Sequence, residues 1–138
     1  MPQKTNPLEI PMPDQPAVGS ITWHDLTVPN AESVRDFYQS VVGWQSSPVD
    51  MGGYSDFSML DAAGNAASGI CHARGINADL PPQWLVYITV ADMDASLAAC
   101  RDAGGAVLHG PRDNHGSQIA VIQDPAGAVC ALYQPAAE

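Results

Sequence analysis

The sequence predicts an α+β fold, two tandem β-α-β-β-β modules forming one cupped mixed sheet with the helices on its outer face. Three observations predict it. Residues 21–30, ITWHDLTVPN, are echoed about 62 positions later by residues 83–92, QWLVYITVAD. Each copy runs into a helical stretch that closes on glycine, at Gly43 in the first and Gly104-Gly105 in the second. The turns Asp61-Ala62-Ala63-Gly64 and Asp124-Pro125-Ala126-Gly127 lie 63 apart, each between two apolar runs. A period of this length marks a duplicated supersecondary unit.

Residues 1–18 carry prolines at 2, 7, 11, 13 and 16. Proline removes ladder donors and favours extended backbone, so this stretch reads as an arm, either a tail or a segment packed on the domain or a partner. The domain proper covers 19–135. Module one, about 19–76, reads as strand 20–28, helix 31–42, and strands near 44–50, 54–61 and 65–72. Asn30 is a helix-capping residue type, and Val34, Phe37, Tyr38, Val41 and Val42 recur at one-face helical spacing. Gly43 supplies the stop. Met51-Gly52-Gly53 reads as a hairpin connection. A proline-bearing connector at 77–82 leads into module two, about 83–135, which reads as strand 84–90, helix 93–103, and strands near 106–109, 117–123 and 128–133. Asp92 is its cap, and Met93, Leu97, Cys100 and Ala103 form its buried stripe.

At 138 residues and 46% apolar, the chain is long enough for one good core. Five Lys and Arg against fifteen Asp and Glu give a net charge of -10, which repels phosphate backbones and anionic lipid. Nucleic-acid and membrane partners are therefore not expected. Cys71, Cys100 and Cys130 are odd in number and embedded in apolar runs, so they read as small hydrophobes in a reducing compartment. With no apolar run near the roughly 18 residues of a membrane span and no secretory leader pattern, the expected location is cytoplasmic.

The segments WHDLTV-PN-AESVRDFYQSVVGW, GGYSDFSML-DAAG-NAASGI, QWLVYITVADMDASLAACRDAGG and SQIAVIQDPAGAVCALYQP resemble the vicinal oxygen chelate superfamily, which includes glyoxalase I, extradiol dioxygenases and bleomycin-resistance proteins. The resemblance covers about 19–135. It implies a small-molecule site in the cup and a homodimer. It also implies a divalent metal held by one first-strand and one last-strand side chain of each module. Carried onto this sequence, the first-strand positions are Trp23 and Leu85, and the last-strand positions are Ser68 and Ala131. None is an imidazole or carboxylate, so no metal cofactor is expected.

Strand alternation then assigns the lining. Trp23, Asp25 and Thr27 share the cup face, as do Leu85, Tyr87 and Thr89, whereas His24 shares the helix face with Leu26 and Val28. Asp is disfavoured inside strands, so Asp25 reads either as a general base or ligand anchor, or as an acid hydrogen-bonded across the cup. The expected ligand-binding residues are Trp23, Asp25, His72, Leu85, Tyr87 and Tyr133. His72 has the parity of Ser68 and Ile70 and reads either as a cup-edge residue or as the exposed end of its strand. Tyr54 is a secondary wall. His109, Arg112 and His115 fall in a loop, LHGPRDNHGS, that reads as solvated or as bordering the mouth. The leading reading is a protein that binds a small organic molecule without the usual metal. The alternative is a metal-dependent lyase or dioxygenase with a site rebuilt from His24, Asp25, His72 or His115.

Overall fold

A computed structural model describes residues 16–137, so most of the proline-bearing arm lies outside the described residues. The described chain is an α+β fold of eight strands and two helices, divided into two compact units. One unit spans 23–84; the other spans 85–137 together with 16–22.

In the first unit, strands β1 (Ile21–Val28), β2 (Gln45–Asp50), β3 (Ser55–Leu60) and β4 (Ala66–His72) accompany helix α1 (Ala31–Val42). The strand order is β2-β3-β4-β1, with β1 and β4 parallel and the other pairs antiparallel. Apolar residues of one strand parity meet the helix: Leu26, Val28, Phe57, Met59 and Ile70 close around Ala31, with Val34 and Tyr38 packed against them. Each such side chain removed from water contributes about 1.5–3 kcal/mol. Only part of the predicted helical face takes part, because Phe37, Val41 and Val42 are exposed. Trp84, at the end of the connector, donates its indole N–H to the Tyr38 hydroxyl at 3.1 Å and packs edge-on against Tyr38 and Trp44.

The second unit repeats the plan with β5 (Trp84–Thr89), α2 (Met93–Asp102), β6 (Ala106–Asn114), β7 (Ser117–Gln123) and β8 (Val129–Gln134). Its order is β5-β8-β7-β6, again with the first and last strands parallel. Met93, Leu97, Ala120 and Leu132 form its core. Cys100 is half-buried and Ala103 exposed, so the α2 stripe is shorter than the spacing predicts. All three cysteines are half-buried and none forms a disulfide. Gly19 N–H and Ser20 C=O, just after the predicted arm, pair with the backbone of Thr89 at 2.8 and 2.9 Å.

The repeated turns are chemically the same. Asp61 Oδ1 accepts the amides of Ala63 and Asn65, each at 2.9 Å, and Asp124 Oδ1 accepts those of Ala126 and Ala128 at 2.8 and 3.0 Å. In both, glycine at the fourth position takes positive φ, +85° at Gly64 and +91° at Gly127. The helix starts differ. Asp92 accepts the Ala95 amide at 3.2 Å, whereas the Asn30 side chain makes no cap bond and instead donates to Ser33 Oγ. The capping role expected of Asn30 is thus corrected. In urea denaturation we expect Asp92→Ala to lower stability by about 1 kcal/mol, and Asn30→Ala to cost only a few tenths (about 0.3 kcal/mol). Equal losses would show that the Asn30 side chain caps α1 in solution.

Candidate functional site

The sheet face of the first unit opposite α1 is set by the β1–β4 register. Leu26 pairs with Ile70 on the helix side, so Asp25 and its partner Gly69 lie on the other. Trp23 is on the same face as Asp25, two residues before it, and its indole N–H donates to Asp25 Oδ1 at 2.7 Å. Asp25 is 9% exposed and Trp23 5%. A carboxyl group taken this far from water needs hydrogen-bond donors, and the indole supplies one. Gly69 supplies room: a Cβ there would collide with Asp25 Oδ1. This glycine is required by close approach of a side chain, not by a turn.

The module-one position expected on the last strand is corrected from Ser68 to Gly69. A register shift between Met59 and Leu60 changes the pairing of the start of β4, so Ser68 lies opposite Met59 and Gly69 lies opposite Asp25. The second unit shows the same geometry without a bulge, Tyr87 opposite Ala131 and Thr89 opposite Tyr133. Leu85, Tyr87, Thr89 and Tyr133 are all buried on this parity, opposite the core residues Ile88 and Leu132.

The structure places the remaining candidates elsewhere. His72 pairs with Val28 and so lies on the α1 side, not with Asp25; the edge-of-cup orientation is corrected. There its Nδ1 faces Asp56 Oδ1 at 3.1 Å and its Nε2 faces Glu32 Oε1 at 2.9 Å. Tyr54 stands edge-on to the His72 ring at 5.4 Å, and Arg74 lies 3.8 Å over the Tyr54 ring. His24 is exposed on the helix-side parity. His109 and Arg112 belong to β6, which runs through most of the predicted loop, and His115 sits exposed in the β6–β7 turn with φ +53°. Asp56 and Glu32 were missed because neither stands in a motif; only the fold brings them to His72.

The positions that the superfamily uses for metal carry Trp23, Gly69, Leu85 and Ala131, and none offers a lone pair suited to a divalent cation. Among the described residues no group of three or more His, Cys, Asp or Glu side chains has a metal-holding arrangement. Glu32, His72 and Asp56 approach one another, but the two oxygens address opposite edges of one ring instead of a common centre. The residues present therefore do not fit the family's metal, and no chemistry is routed through it.

A family model described as a glyoxalase-like domain matches residues 22–133. The chain belongs to the glyoxalase-like domain family. That family lies within the vicinal oxygen chelate superfamily which the sequence resembles. The glyoxalase-like chain is similar to the "Putative glyoxylase CFP32" of Mycobacterium tuberculosis, 32% identical over 119 residues, covering 86% of this chain and 45% of that protein. It is similar also to the anthracycline biosynthesis protein DnrV of Streptomyces peucetius, 29% identical over 131 residues, covering 86% and 48%. The glyoxalase-like chain thus spans about half the length of the curated relatives it matches. Its fold is shared with Streptomyces coelicolor methylmalonyl-CoA epimerase, solved with 2-nitronate-propionyl-CoA, at TM-score 0.51 and 20% identity over 88% of this chain and 100% of that one. No helix among the described residues is long and apolar enough to cross a membrane.

Two replacements test the interlock. Gly69→Ala is expected to destabilise the glyoxalase-like domain by about 1–3 kcal/mol through overpacking against Asp25. Trp23→Phe removes the donor and is expected to cost about 1–3 kcal/mol, partly recovered when Asp25 is also changed to Asn. Additive losses in that double-mutant cycle, read by thermal or urea unfolding, would mean the 2.7 Å bond carries no coupling energy.

Proposed function

We propose that this glyoxalase-like domain binds a small organic molecule on the sheet face opposite its helices, without the divalent metal that its superfamily usually holds. The observation that carries the reading is the exchange of residue types at the four metal positions for Trp23, Gly69, Leu85 and Ala131, on faces that also carry Asp25, Tyr87 and Tyr133. Such a lining is mainly apolar and aromatic with a few fixed polar groups, the usual chemistry of a small-molecule site. Trp23 and the two tyrosines offer flat apolar surface; Asp25 offers an acceptor for a ligand N–H or O–H.

The relatives support an organic ligand. One is named for anthracycline biosynthesis, and the epimerase of the same fold is solved with 2-nitronate-propionyl-CoA. In this reading Asp25 orients the ligand and is placed to accept a proton from it, the role the sequence assigns to it as a candidate catalytic group. Pairing of two copies belongs to the same reading, and Phe37, Val41 and Val42 on α1 are exposed apolar surface that a partner copy would cover.

Protein purified without chelator should carry far less than one equivalent of any divalent metal by mass spectrometry. With anthraquinone-type and CoA-thioester probes at about 100 times Kd, mass action predicts about 2.7 kcal/mol of added stability, seen as a rise of several degrees in melting temperature. Asp25→Asn should diminish that rise. A tightly held stoichiometric metal, or a melting temperature indifferent to every probe, refutes the reading.

A further inference from the structure

The two modules dock the start of their helices on the end of their last strand by different chemistry. In module two, Gln134 at the end of β8 accepts the Met93 amide, the first of α2, through its side-chain oxygen at 2.6 Å, and Asp92 caps the next turn. The residue 62 positions earlier is His72, at the end of β4. Here α1 has no side-chain cap. Its first turn is held instead by Glu32, whose Oε1 lies 2.9 Å from His72 Nε2. The opposite ring nitrogen, Nδ1, faces Asp56 Oδ1 at 3.1 Å, and the same oxygen accepts the His72 backbone N–H at 2.8 Å.

Donor counting decides what this arrangement requires. A neutral imidazole has one N–H and one bare lone pair, and a lone pair set against a carboxylate oxygen at hydrogen-bond distance repels it. With both carboxyls ionised, both contacts are attractive only when both ring nitrogens carry protons. We propose that the first turn of α1 is docked by a proton-dependent clasp, in which His72 holds Glu32 and Asp56 together while its ring is an imidazolium and releases Glu32 when a ring proton passes to water.

Glu32 is the limb that opens. Its side chain is 62% exposed and can turn to solvent at little cost, whereas Asp56 is 11% exposed and remains tied to the His72 amide. Among the described residues, the groups packed around the ring supply no other anion. Tyr54 and Phe57 flank it, Arg74 stacks on Tyr54, and Arg35, from α1, lies 4.5 Å over Phe57 while paired with Asp36. Unlike His72, Gln134 has no proton to lose, so α2 serves as a built-in reference.

The acid side follows from Glu32. Its own backbone amide, and secondarily His72, hold its carboxyl below the ordinary 4.5. A depressed carboxylate contributes stability above its unfolded value and loses it as pH falls through the lower folded one. The clasp is therefore closed above that range and opens on the alkaline side, once the ring has given up a proton.

Hydrogen exchange read by mass spectrometry or NMR, corrected for intrinsic rates, tests this. Protection of the α1 amides that bond back into its first turn, beginning with Val34 N–H onto Asn30 C=O, should fall about two- to fivefold relative to those of α2 from about pH 5.5 to 8, the range expected for a partly exposed ion pair. Glu32→Gln, at an exposed site, and His72→Gln, which imports the chemistry of module two, should each flatten the profile. Ring nitrogen resonances at about pH 5 should report two N–H groups. A flat wild-type profile, an unchanged slope in either variant, or a singly protonated ring at pH 5 overturns the proposal.

Discussion

The parallel register between β1 and β4 sets everything that the first module presents. Leu26 opposite Ile70 and Val28 opposite His72 turn one parity toward α1; Asp25 opposite Gly69 turns the other parity away from it. Because side chains alternate strictly along a strand, a slip of one residue would drive the Asp25 carboxylate into the cluster of Leu26, Ile70 and Met59 and expose their apolar surface. The core thus enforces the site. Burial of Met59 and Ile70, both fully inaccessible, fixes where the acid must be.

The duplication makes the modules comparable position by position. Trp23 and Asp25 of the first occupy the places of Leu85 and Tyr87 of the second, and Gly69 takes that of Ala131. Module two buries an aliphatic side chain, a phenol and a methyl group there; module one buries an indole, a carboxylate and no side chain at all. The scaffold is held in common by the aspartate turns, whose side chains accept the same amides in both copies, and by the parallel pairing of first and last strands, whose backbone hydrogen bonds tolerate changed side chains. Divergence is concentrated in side chains that the scaffold displays. His72 and Gln134 extend this to the outer side, where the same docking problem receives an ionisable answer in one copy and a neutral one in the other.

Much of the architecture was legible because it repeats. The 62-residue echo, the paired DxxG turns and the glycine after α1 report local backbone requirements, and α1 occupies the predicted residues 31–42. The faces of β1 and β5 were legible from alternation. Where alternation was carried through a register shift it failed: the irregularity between Met59 and Leu60 moved the site position from Ser68 to Gly69, and nothing in the residues marks it. His72 was put on the wrong face for a related reason, since Ser68 and Ile70, whose parity it shares, turn toward α1. Asn30 has the right chemistry for a cap, but residue type does not fix backbone angles, and its φ of -112° with ψ of 54° leaves the side chain bonded to Ser33.

A tryptophan at position 23 constrains more than one neighbour. An indole N–H directed into a water-poor face demands an acceptor, and Asp25, two residues along and on the same side, is the nearest that alternation allows. The carboxylate then needs space, which only a residue without a Cβ opposite it provides, hence Gly69. The three form a closed dependency: any one of them alone is a buried unsatisfied group, a collision or an unfilled space. Replacing Trp23 by histidine would remove the indole N–H that Asp25 Oδ1 accepts and leave the space of the larger ring unfilled. The indole, the carboxyl group and the missing side chain at Gly69 are therefore fixed together by the packing of this face.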